Sequence, residues 1–420
     1  MRAFLFALGL LTLLPSCSCG SPTSVDAGSD GGLADAPGDA GVDAPSRDAG
    51  RDAGDLDAGL DADRDADFDV GLDADLDVGL DADLDADLDA DLDAAIDAGE
   101  PDAGGPDAGP RYDCGAFSDA SGWTVRSGFR AVVIADATDG ISQPVALTIA
   151  EGAYGAMLYV VSSGADTVHR IDVATGTTSV FTGGATWGSL TPALLTTIVW
   201  DAAGVLDGAL YVGDQGGDGD ADSAVYRLAA DGTPTLAVRA PGAGLDDVYA
   251  MAFASPGTAY TPGLYLGGDT DGAGVDWGVF DGTSVASFSE VAGVEGAAFD
   301  PTGLYGGSLW AARPSGGGYA GDGSVTPLSA AGIAGTPIAV DPGIHAVTFS
   351  ERGSFGARMY AVSWSTGTLY EIAPDGTSTT LASGLMLSNY DGNALDVSSD
   401  GEVMFVADRD ANRVVCIEPL

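Results

Sequence analysis

Two histidines occur in the 420 residues, and one of them, His345, stands at a repeated place. A unit recurs along residues 129–420. When its copies are aligned at the start of their innermost strand, one position is held in turn by Val145, Thr196, Tyr249, Glu295, His345 and Asn393. The steps between them are 51, 53, 46, 50 and 48 residues. Three successive copies thus offer a carboxylate, an imidazole and an amide, with Tyr249 and Thr196 beside them. Glu295, His345 and Asn393 together suit a divalent cation through oxygen and imidazole donors. A metal held there would polarise a carbonyl and lower the pKa of a bound water. Without a metal, the same polar set could bind a ligand, or simply hydrate the mouth of a channel.

A second candidate is the carboxylate run Asp214, Asp218, Asp220 and Asp222 in GDQGGDGDADS. Its alternating spacing brings several oxygens within reach of one Ca²⁺, although the distal Glu of an EF-hand loop is absent. Asp269, Asp271 and Asp276 form a sparser version; either run also reads as a solvated Asp/Gly loop. His169, alone within a strand pattern, reads as structural. The chain has no GxSxG, HExxH, CxxC or dinucleotide-binding glycine fingerprint, so the common hydrolase and redox signatures are missing. It has no lysine either, which excludes Schiff-base chemistry and a P-loop.

The elements that must position these residues are strands. Copies of the unit begin at Ala146, Thr197, Met251, Ala297, Ala346 and Ala394. Each alternates apolar and polar residues over short runs, with Gly, Asp and Pro at the turns, which is the pattern of antiparallel strands. Six copies at a period near 50 residues predict an all-β chain folded as a six-bladed β-propeller. Seven blades would follow if two degenerate copies are merged between residues 187 and 293. The last copy stops after its third strand, at VVCI (414–417), so FRAVVIA (129–135) is expected to supply the fourth and close the ring. Radial closure leaves few open edges. The aligned position then faces one mouth of the central channel.

The sequence MFVADRDANRVVCIEP (404–419) resembles an NHL repeat. NALDVSSDGEVMFVAD (393–408) resembles the NGLAxSPDGxxLYVAD segment of the senescence-marker and gluconolactonase family of six-bladed propellers. The resemblance is close only in the last blade. It implies an inner-strand metal site of Glu, Asn and Asp serving lactone hydrolysis. Asn393 falls on that family's Asn, and Glu295, in VEGAAFDPTG, stands where its Asp stands. The family's first-blade Glu is missing: the matching stretch reads ISQPV (141–145). His345 as a replacement ligand would make a different site.

The N-terminal quarter has another character. Arg2 precedes an apolar run over residues 3–14, too short to span a bilayer and matching the core of a secretory signal. It ends Leu14-Pro15-Ser16-Cys17, which resembles a bacterial lipobox with Cys17 as the lipidated residue; an ordinary signal peptide cut nearby is the alternative. Ser18 in place of Asp would direct a Gram-negative lipoprotein to the outer membrane. Residues 20–110 hold 28 of the 63 acidic residues against three arginines, with Asp at every second position from Asp81 to Asp93. Such self-repulsion predicts a disordered, extended tether; its dense carboxylates could also gather calcium. The expected organisation is a signal peptide over residues 1–16, a tether over 17–110 and a propeller over 111–420.

Residues 111–420 carry 35 acidic residues against eleven arginines. That balance argues against nucleic acid, whose phosphates need basic partners. The membrane is expected as a partner only through the lipid, and the ligand as a protein, glycan or small molecule; a structural envelope role and metal-dependent hydrolysis are the alternatives. Cys114 and Cys416 stand at the two ends of this part. In an oxidising compartment they read as a disulfide joining the termini; the alternative is two free thiols.

Overall fold

A computed structural model describes residues 111–216, 223–239, 247–268, 276–316, 319–387 and 392–420. Cys17 and the tether lie outside the described residues, as do Asp218, Asp220, Asp222, Asp269 and Asp271. The described residues form six antiparallel sheets, four made of strands consecutive in sequence and two that also take in strands from the start of the domain. The innermost strands of blades 1 to 6 are Pro144–Ala150, Leu195–Trp200, Ala250–Ala254, Gly296–Phe299, Ile344–Ser350 and Leu395–Val397. The fold is therefore a six-bladed β-propeller. The stretch between residues 187 and 293 holds blades 2 and 3 and no merged third, which removes the seven-bladed alternative.

Closure follows the expected route. In blade 6 the strand Arg413–Pro419 pairs with Phe129–Asp136 from the other end of the domain, in register from Arg413↔Asp136 to Pro419↔Phe129. Ser118–Asp119 adds a fifth strand to this blade, and Thr124–Val125 adds one to blade 5. Cys114 and Cys416 are bonded over the seam, with Cα atoms 5.8 Å apart. Such a bond persists in oxidising, extracytoplasmic surroundings. The Cys114 amide donates to Glu418 Oε2 at 2.9 Å, and Arg130 bridges Glu418 to the Gly115 carbonyl.

A tyrosine recurs in the turn after the innermost strand and ties one blade to the next. Tyr154 donates to Leu228 O and accepts from Leu210 N. Tyr260 does the same with Leu328 O and Leu309 N. Tyr305 donates to Ile372 O at 2.5 Å and accepts from Met359 N at 3.0 Å. In each case the two backbone groups belong to directly paired residues of the next blade. The phenol completes a ladder end that has no strand partner. Tyr305→Phe keeps the ring but strands a buried N–H and a buried C=O. A loss of about 2 kcal/mol is expected, read from urea unfolding beside Tyr370→Phe. Tyr370 bonds only to a partly exposed Asp341 carboxylate and should cost less.

Candidate functional site

The innermost strands enter the propeller through a bulge, and the aligned residues are what the bulge aims. In blade 1, Pro144 pairs with Ser162 and Ala146 with Val161, which leaves Val145 as the extra residue. Thr196 in blade 2 and His345 in blade 5 are the extra residues of the same irregularity. Tyr249 and Glu295 repeat it: their amides bond the carbonyls of Gly267 and Ala312, the residues that Ala250 and Gly296 already face. Bulges of this kind re-aim side chains at barrel rims and sites. Val145, Thr196, Tyr249, Glu295 and His345 thus share one structural position, and Asn393 stands two residues before the blade-6 strand Leu395–Val397, its carbonyl accepting from Leu147 N.

They do not form an open mouth. Glu295 and His345 are 0 % exposed, and Val145, Thr196 and Tyr249 are buried too. Only Asn393 is partly exposed. The cause is the close approach of backbones. A Cβ on Gly392 would lie 2.2 Å from the Thr196 carbonyl, and one on Gly296 would lie 2.5 Å from that of His345. Thr196 Oγ1 donates to Val248 O at 2.5 Å, which ties blade 2 to blade 3. Glycine at 392 and 296 lets the segments touch, and that contact shuts this end of the channel.

His345 Nδ1 lies 3.3 Å from the Gly343 carbonyl. Burial, with a smaller contribution from the Arg409 charge, lowers the imidazole to about 4. It is therefore neutral at pH 7, and the Nδ1–H tautomer satisfies Gly343 O. Among the described residues no three His, Cys, Asp or Glu side chains converge as a metal cluster. His169 lies buried in the strand Thr167–Ile171, with Nε2 3.0 Å from Thr167 Oγ1.

Asp214 has a structural position that its acidic context conceals. Its carboxylate is 1 % exposed and turned inward. It accepts from the amides of Ala193, Leu194 and Gly216 and from the Tyr226 hydroxyl. Asp408, at the same strand end in blade 6, likewise accepts from Met386 N, Trp123 Nε1 and Arg413 Nε. Both aspartates anchor the chain arriving from the preceding blade. An anchor so occupied has little left to offer calcium.

The open part of the channel runs from Asn393 toward the opposite face. It is a cavity of about 290 Å³. Three residues beyond the aligned position, every inner strand contributes to its wall: Thr148, Val199, Ala252, Ala298, Thr348 and Asp396. Exposed turn residues Ala202, Ala203, Ser255 and Pro301 edge it, so it reaches the surface there. Asp396 is the sole charged residue on this wall. Its Oδ2 accepts from Ile149 N at 2.8 Å and Thr148 Oγ1 at 3.2 Å, and its Oδ1 from Val397 N at 2.8 Å. Desolvation outweighs these bonds and raises the carboxyl to about 6. The repeat alignment, read three residues beyond the first ring, would have singled out Asp396 as the lone charge of the second.

No protein-family model matches the chain, and no curated protein matches it in sequence. Among solved structures, a gluconolactonase from Xanthomonas campestris superimposes with a TM-score of 0.50 and 15% identity, over 70% of this chain and 91% of that one. A virginiamycin B lyase from Staphylococcus aureus, solved with quinupristin, matches at TM-score 0.46 and 11% identity, over 70% and 100%. A PQQ-bound aldose sugar dehydrogenase from Streptomyces coelicolor matches at 0.46 and 14%, over 70% and 99%. These neighbours are enzymes, and the likeness to them is one of fold.

Proposed function

We propose that this chain is a lipid-anchored, extracytoplasmic β-propeller that binds a small ligand in its axial cavity. The observation that carries the reading is the cavity itself. At about 290 Å³ it is close to the lower end of the range for small-molecule sites, and it has an apolar lining with a few polar groups, as such sites do. The closed ring of Glu295, His345, Thr196 and Tyr249 serves as its rigid floor, with Asn393 at the boundary. Cys17 supplies the lipid attachment, and the Asp-rich tether lifts the domain from the membrane.

Two results test this. Cys17→Ala should move the chain from the membrane fraction to the soluble one. A panel of small aromatic and aliphatic compounds should raise the Tm of the full chain, with a stabilisation of about 2.7 kcal/mol at a hundredfold excess over Kd. Ala298→Trp, which fills the cavity, should remove that response while the chain stays folded. A wild-type chain that responds to no compound, or a filled variant that responds equally, would overturn the reading.

A further inference from the structure

The cavity wall is not uniform around the ring, and its asymmetry defines a ligand class. Blades 5, 6 and 1 contribute Thr348, Asp396 and Thr148. Blades 2, 3 and 4, on the opposite side, contribute Trp200, Phe253 and Phe299, of which Phe253 also packs on Tyr211 and Phe299 on Tyr260 and Tyr265. The wall thus carries its one carboxylate on one side and its three aromatic residues on the other.

The charge of Asp396 is not matched among the described residues. It makes no salt bridge among the described residues, and no arginine lines the cavity. Its hydrogen-bond partners among the described residues are a threonine hydroxyl and two amides, all neutral. A carboxylate oxygen has more than one acceptor site, so Oδ1, bonded only to Val397 N, has room for another donor. A half-buried charge without a counter-charge carries a desolvation cost, and a ligand cation would relieve it. Aromatic faces attract cations as well as apolar groups. The net charge of −24 over residues 111–420, 35 acidic residues against eleven arginines, draws cations toward the opening and repels anions.

We propose that the axial cavity takes a small organic ammonium with an aromatic or apolar body, its nitrogen on Asp396 and its body against Trp200, Phe253 and Phe299. This rests on the reading of the cavity as a ligand site and names the ligand class for it.

The test is calorimetric titration of the full chain at about pH 8, where Asp396 is ionised. Three probes of matched shape are used: 2-phenylethylammonium, 2-phenylethanol and phenylacetate. The expected order is ammonium first, the alcohol about tenfold weaker, and no binding of the acid. Asp396→Asn should bring the ammonium down to the level of the alcohol. Should that variant fail to fold, the order of the three probes on the wild-type chain still decides. Alcohol or acid binding as tightly as the ammonium would overturn the ammonium class and leave the cavity reading standing. No binding by any of the three, together with a silent compound panel, would overturn both.

Discussion

Replacing Cys114 and Cys416 together by serine should lower the stability of the propeller by about 5 kcal/mol in the chain-entropy model. The bond joins residues 302 apart in sequence, so it removes from the unfolded chain nearly all the freedom to separate its ends. That entropy grows only with the logarithm of loop length, and a loop this long is near the top of the useful range. The native contacts at the seam survive the change. Phe129–Asp136 still pairs with Arg413–Pro419, and Arg130 still holds Glu418. The loss should therefore appear in equilibrium unfolding rather than as an opened ring at room temperature. For a domain of this size it corresponds to a fall in Tm of roughly 8 °C, read by near-ultraviolet circular dichroism on the double variant. Reduction of the wild-type chain should reproduce it. An unchanged Tm would mean that the unfolded chain already keeps its ends together.

The propeller was legible because its signals are local. Each unit carries its own alternation and turns, as in ALTIAEGAYGAMLYVV from Ala146, and the period repeats them until the count is clear. The common register of Thr196, Glu295 and His345 was legible for the same reason. Their burial was not, because it arises from contacts that no local pattern encodes. Gly392 meets the Thr196 carbonyl across 196 positions of sequence. Asp214 misled in another way: its neighbours are acidic and evoke calcium, yet its place is a strand end. There LYVGD aligns with MFVAD, and both aspartates turn inward to hold arriving amides. Asp396 was within reach of the alignment, since NALD places it three residues beyond Asn393. Its solitude needed the ring, because only the closed channel brings all six inner strands around one cavity.

Buried His345 and half-buried Asp396 should give the propeller opposite dependences on acid. His345 titrates near 6.5 when unfolded and is lowered to about 4 when folded. Between those values the unfolded chain takes up a proton that the folded one refuses. The contribution is complete above about pH 6.5 and is lost as pH falls toward 4, to the extent of about 3 kcal/mol. Asp396 runs the other way. Its folded carboxyl is raised to about 6 from 3.8, so the folded chain takes up the proton first. Stability gained below that window is lost as pH rises from about 4 through 6. The amount is at most about 3 kcal/mol, and less in practice because cavity water reaches the carboxylate. The two slopes overlap and largely cancel in the wild-type chain. Single variants should unmask them. His345→Gln should gain stability relative to wild type as pH falls from 7 to 4. Asp396→Asn should show its largest relative gain near pH 7 and lose it toward pH 4. Urea unfolding of both variants and of the double variant across that range separates the terms. A His345→Gln profile parallel to wild type would show that this imidazole takes up its proton at the same pH in the folded chain as in the unfolded one. The floor of the cavity would then owe nothing to the neutral state of its histidine.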